Sequence, residues 1–386
     1  MVRMPDRSHL SPRAADVSRL FDPARLRQAR RLTMMTKQTL AAKVGVSPAS
    51  IGQYESGVHS PGPLVVRGLA EALDVPLEFF APDRPLTSLD SSDAHFRSLR
   101  STTVGQRNKA LAFTEQVWEL THALERWVEF PAVNLPSLDV HRDRESTRAD
   151  LRMAAEELRI AWGVPLDEPF PHLTRTAETN GVVVVFAAFA GDGEKQRIDA
   201  FSTSRLSRPV VVTPPDRAEG VYKHRFNLAH ELGHLLLHRE EIHGELVIER
   251  EANAFAGELL MPERVMRNVL KARVDWDALG KLSHRWGVEI KALVYRSREL
   301  GILSDAAARR AYQRLEVMRG AGLISNFSTT EFEGEIPVLL QRAFEFAKTQ
   351  GVTTDSLAAQ LRWRPNTVTA LLGVTGDSRP KLRAVL

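Results

Sequence analysis

The chain has 386 residues, 43% of them hydrophobic and 26% charged, enough for two or three packed domains and unlike a collagenous, disordered or membrane-embedded protein. A formal charge of +4 permits contact with nucleic acid without requiring it. With no cysteine, disulfides, thiol nucleophiles and thiolate ligation are excluded, so a metal site must draw on histidines and carboxylates.

Residues 1–20 read as a polar, frayed N-terminus without the apolar stretch of a signal peptide, and no later segment approaches a membrane span; a cytoplasmic location is expected. Residues 21–83 read as five short helices. One starts after Asp22, one runs from Thr36 to Val44, one from Ser47 and Pro48 through Tyr54, and two lie near Leu64–Leu73 and Pro76–Phe80. Leu40–Val46 and Ser47–Glu55 suit a helix-turn-helix with Gly45 at the turn. Lys37, Gln38, Ser47, Ser50 and Gln53 are then the expected DNA-facing residues. Lys37 and Gln38 sit at a helix start that meets phosphate, and Ser50 and Gln53 reach toward base edges. The segment resembles the XRE/Cro/CI type of repressor domain, although Pro48 and Ala49 stand where that family often has long polar side chains. A packing module without a DNA role is the competing reading.

Residues 84–145 read as a linker with a long helix from about Gly105 to Phe130, on which Val117, Leu120, Leu124 and Trp127 form a stripe suited to a homodimer or to a core. Residues 146–300 begin with a helix to Trp162, followed by β-branched runs at Val182–Phe186 and Val210–Val212. Helix dominates from Phe226 on. There the chain reads F-N-L-A-H-E-L-G-H, placing His230 and His234 one turn apart with Glu231 beside them. That spacing brings two imidazoles to one ion, while Glu231, about 100° further round the helix, reaches a water as general base. Apolar neighbours bury the motif, and burying imidazoles and a carboxylate is costly without a cation.

A catalytic zinc needs a third protein ligand. Glu249, Glu251 and Glu258 follow on one helix; Glu249 shares a face with Ala252, Asn253 and Ala256, whose small side chains allow close approach, whereas Glu251 points aside, toward solvent or an arginine. His238 lies two turns from His230, about 12 Å along the axis and too far to share the ion. His224 and His243 read as loop histidines, and Leu237 and Glu240 exclude the metzincin pattern.

Together with E-R-E-A-N-A-F-A-G-E-L-L-M-P, this motif resembles the ImmA/IrrE family of metallopeptidases over roughly Ser146–Leu300. The resemblance implies a gluzincin-like core that cleaves helix-turn-helix repressors, with His230, His234 and Glu249 as ligands and Glu231 as the catalytic acid/base. Residues 301–386 read as a helical C-terminal region, and the chain as a whole shows no convincing internal repeat; Thr353–Leu372 suits a second helix-turn-helix or, preferably, a helical cap over the peptidase. The expected fold is mainly α with a small β-sheet (α+β): a five-helix XRE-type domain, a zinc peptidase domain and a helical C-terminal region.

The expected function is a bacterial regulator binding operator DNA, with an endopeptidase that cleaves or senses a repressor, toxin or other operon partner in stress, phage or toxin–antitoxin regulation. The alternative is a non-catalytic regulator whose peptidase-like domain senses or binds protein. Zinc is the expected metal, with manganese and iron as alternatives.

Overall fold

Side-chain caps start the first helices. After α1 (Pro12–Arg19), Asp22 accepts from the Ala24 amide to open α2 (Pro23–Leu32). Thr36 and Ser47 open α3 (Lys37–Val44) and α4 (Pro48–Ser56), each accepting at 3.0 Å from the amide three residues on. With α5 (Pro63–Leu73) and a 3-10 turn at Leu77–Phe80, they bury Leu26, Leu40, Ile51, Leu69 and Phe80. The expected frayed start is corrected in part, because α1 buries Ala14 and Val17. The computed structural model describes residues 12–90, 95–96, 103–138, 145–187, 200–214, 220–238, 245–323 and 334–373.

Strand β1 (His95–Phe96) precedes α6 (Val104–Leu124), which stops short of the expected Phe130. Of the expected stripe, Val117, Leu120 and Leu124 are buried core residues, whereas Trp127 is exposed. Buried Glu119 accepts from Gln28 at 2.8 Å and pairs with Arg25 and Arg84, which joins α6 to α2 and to the segment after the 3-10 turn.

The chain divides into two units, one comprising residues 1–93, 100–130 and 340–386 and the other residues 94–99 and 131–339. In the second unit, α7 (Arg148–Ala161) and α8 (Leu173–Thr179) lead into β2 (Val183–Phe186), β3 (Phe201–Thr203) and β4 (Val210–Thr213). The sheet order is β1-β3-β4-β2; β2 runs parallel to β4 with Val183 opposite Val210, and β3 is antiparallel to both of its neighbours. β2 and β4 match the two expected β-branched runs. Helices α9 (Gly220–Leu237), α10 (Glu245–Leu260), α11 (Glu263–Val269), α12 (Trp276–Trp286), α13 (Ile290–Glu299) and α14 (Asp305–Gly320) follow. One core built on Leu158, Val184, Leu228, Leu232, Phe255 and Leu293 joins sheet and helices. Fully buried Glu335 accepts from the Leu173 and Thr174 amides and pairs with Arg225 of α9, so both charges are compensated.

At the far end of the chain, α15 (Leu339–Thr349), α16 (Thr354–Leu361) and α17 (Pro365–Leu371) correct the expectation that no repeat is present. At one constant offset they retrace α2, α3 and α4. Thr36 falls on Thr353, Leu40 on Leu357, Ala41 on Ala358, Ala42 on Ala359 and Pro48 on Pro365. The left-handed residues recur in register: Met34 (φ 54°) with Gly351 (φ 88°), and Gly45 (φ 71°) with Arg362 (φ 54°). So do the turn hydrogen bonds. Met35 N–H to Arg30 O matches Val352 N–H to Ala347 O, and Val46 N–H to Ala41 O matches Trp363 N–H to Ala358 O. Thr353 caps α16 at 3.0 Å from the Ser356 amide, as Thr36 caps α3. Both α16 and α17 belong to the first unit.

Candidate metal centre and nucleic-acid face

Helix α9 carries His230 and His234 one turn apart, both fully buried, with their Nε2 atoms 3.1 Å apart. The third member comes from α10, and Gly233 is what lets α10 in. A Cβ at Gly233 would lie 3.0 Å from Phe255 Cδ1 and 3.3 Å from the Ala252 backbone, so α10 could keep this approach only if Phe255 or its own backbone gave by a few tenths of an ångström. At this approach Glu249 Oε1 stands 3.3 Å from His234 Nε2, and its Oε2 stands 3.5 Å from His230 Nε2. One ligand atom from each of the three residues lies within 4.8 Å of the others.

Both imidazoles turn a lone pair toward this carboxylate. Asn253 donates its amide to the Glu249 carbonyl at 2.8 Å, so its Oδ1, 3.1 Å from His230 Nδ1, accepts from that ring. His230 therefore presents Nε2 unprotonated. On the other side, His234 Nδ1 is 3.0 Å from His238 Nδ1, and His238 Nε2 is 2.9 Å from Glu251 Oε2. With Glu251 as acceptor, neutral His238 donates from Nε2 and accepts at Nδ1, which leaves His234 to donate from Nδ1 and present Nε2. Two imidazole lone pairs and a carboxylate converging in a buried place need a cation between them, and this donor set fits catalytic zinc.

Glu231 is fully buried, and its Oε2 accepts from Ser202 Oγ of β3 at 2.7 Å. Sequence reasoning missed Ser202, which lies in a three-residue strand with no local signal. It also placed Glu251 toward solvent or an arginine; instead Glu251 accepts from His238 and from the Ser146 amide, and burial, which would raise its carboxyl, is outweighed by these bonds. Glu258 pairs with Arg296 and accepts from the Glu263 amide, which removes it from the ligand candidates. His224 is a buried helix residue rather than a loop histidine, with Nε2 3.1 Å from Thr174 Oγ1. His243 lies outside the described residues.

In the first unit, Lys37, Gln38, Ser47 and Gln53 are exposed and Ser50 is half-buried. Lys37 Nζ is 3.5 Å from buried Glu55, which also holds Arg30. The Ser47 and Ser50 hydroxyls lie 2.8 Å apart at the start of α4, where Ser47 serves as its N-cap. Gln38 and Gln53 carry the longest neutral polar side chains of this group.

Residues 177–298 match the family model of the IrrE N-terminal-like domain (peptidase M78), a span that includes the whole His-His-Glu cluster, Glu231, His238 and Glu251. Residues 26–80 match the helix-turn-helix family model. No curated protein matches the chain.

Proposed function

We propose that this chain, which joins a helix-turn-helix domain to an IrrE N-terminal-like domain, is a DNA-binding regulator whose second unit is a zinc endopeptidase acting on a repressor or operon partner. The observation that carries the reading is the convergence of His230 Nε2, His234 Nε2 and the Glu249 carboxylate beside a buried glutamate that a purely structural ion would not need. His230, His234 and Glu249 would hold the ion. When bound, zinc polarises a scissile carbonyl and lowers the pKa of the water that attacks it. Glu231 takes a proton from that water and passes it to the leaving nitrogen, while Ser202 holds the carboxylate in place through its 2.7 Å hydrogen bond. On the DNA side, Lys37, Gln38, Ser47, Ser50 and Gln53 form the proposed face. Stress, phage and toxin–antitoxin circuits are the settings this pairing of domains suggests.

Burial of the cluster favours a second reading. His230, Glu231 and His234 have no exposed surface, and the Glu249 side chain is 20% exposed, which suits a sensor or protein-binding module without turnover.

Metal content of the purified chain, measured by mass spectrometry alongside His230→Ala and Glu249→Ala, tests the centre. One zinc per chain, lost from both variants, is expected; no metal after zinc addition would overturn the metallopeptidase reading. Glu231→Gln should keep the zinc and slow cleavage of a neighbouring-gene repressor by roughly 10²-fold or more. An equal rate in that variant would remove Glu231 from the chemistry, and zinc binding without cleavage in the wild type would select the sensor.

A further inference from the structure

We infer that α15–α17 form a second DNA-contacting helix-turn-helix, with α17 as its reading helix and duplex DNA as its ligand; this rests on the DNA-binding reading of the first. The repeat described above carries more than a helix count, because both left-handed turns and the hydrogen bonds that close them recur in register with α2–α4.

The exposure pattern recurs too. Pro365, Asn366 and Ala370 are exposed where Pro48, Ala49 and Gln53 are exposed, and Val368 is buried where Ile51 is buried. A turn between two helices does not by itself leave such a face. Gly287 also adopts a left-handed conformation (φ 61°) between α12 and α13, yet α13 buries Leu293, Val294, Arg296 and Ser297, so it packs on more than one side.

The local charge suits a polyanion. From Gln360 to Gly373 the chain has no carboxylate and two arginines, Arg362, which also donates to the Pro82 carbonyl, and Arg364. Arg364 also pairs with Asp74 at the end of α5 at 2.8 Å, which fastens the second copy to the first within one unit. Asn366 occupies the place of Ala49, supplying near the start of the second reading helix the amide that the first lacks, and an asparagine there can pair with adenine in the major groove. One chain would then carry two reading helices, as a symmetric repressor dimer does, and its site should be bipartite.

The test is duplex binding by the full-length protein, using a pool with a randomised centre several helical turns long and following the selected sequence, the affinity and its salt dependence. Asn366→Glu with Ala370→Glu should weaken binding about tenfold or more and simplify the selected site to a single element. Asn366→Lys should bind at least as tightly as wild type, an outcome that misfolding would not produce. Ala49→Glu with Gln53→Glu serves as the matching change in α4. If only the α4 pair weakens binding, the α17 inference is overturned while the first domain's role stands. If only the α17 pair does, the inference stands and the α4 face is lost. Wild-type protein that selects no duplex overturns both.

Discussion

His238 is four residues beyond His234 on the same helix and cannot reach the ion position itself, yet it decides which nitrogen His234 offers. Its partner Glu251 fixes the tautomer through a 2.9 Å contact, and the Ser146 amide holds Glu251 in turn at 2.6 Å. Such outer partners typically tune metal affinity by tenfold to a hundredfold. His238→Ala and Glu251→Ala are therefore expected to weaken zinc binding by roughly that factor while leaving the helical circular dichroism unchanged, measured by competition against a chromophoric chelator. Wild-type affinity in both variants would show that His234 is oriented without them. The spacing of the motif histidines and Glu231 was legible because helical periodicity is a local rule, and Glu249 stood out by sharing a face of its helix with small residues, together with the family resemblance. Ser202, His238's pairing and Glu251's direction were not, since each depends on which distant residue the fold brings within about 3 Å.

Between elements, the approach of α10 to α9 turns on a missing side chain. Alanine is the better helix former by about 1 kcal/mol, so on propensity alone Gly233→Ala should stabilise the protein. The contacts at 3.0 Å and 3.3 Å that a Cβ would make, one of them to backbone, argue the opposite. A net loss of roughly 1–2 kcal/mol is expected, with a drop in zinc affinity as Glu249 is carried away from the histidines. Thermal unfolding and zinc titration read both effects, and a more stable variant with unchanged affinity would show that the helices have slack. Sequence periodicity located most of these helices because caps and apolar spacing are written locally, as at Asp22, Thr36 and Ser47. It missed β1 and β3, which have two and three residues and whose existence is decided by pairing partners far along the chain. It also missed the repeat, since six shared residues, Arg25 and Arg342 among them, are too few to see while the turn geometry recurs in both copies.

For the whole molecule, a ligand that binds one folded unit shifts that unit's stability by mass action and leaves an independent unit alone. Calorimetry with and without a chelator is expected to lower one transition, belonging to residues 131–339, by several degrees while a second stays put. Two transitions that fall together would show that the units unfold cooperatively. The order of segments along the chain has a topological consequence. The first unit is discontinuous: its polypeptide leaves at residue 93, returns at 100, leaves again at 130 and returns at 340, so the two units interleave along the chain. Within the first unit, Gln350 donates to the Trp127 carbonyl at 2.9 Å and Arg364 to the Asp74 carbonyl at 3.0 Å, ties that span residues 131–339. No single scission of the chain can therefore free one complete unit from the other; a nick between residues 131 and 339 leaves the first unit as two fragments held together by noncovalent contacts alone.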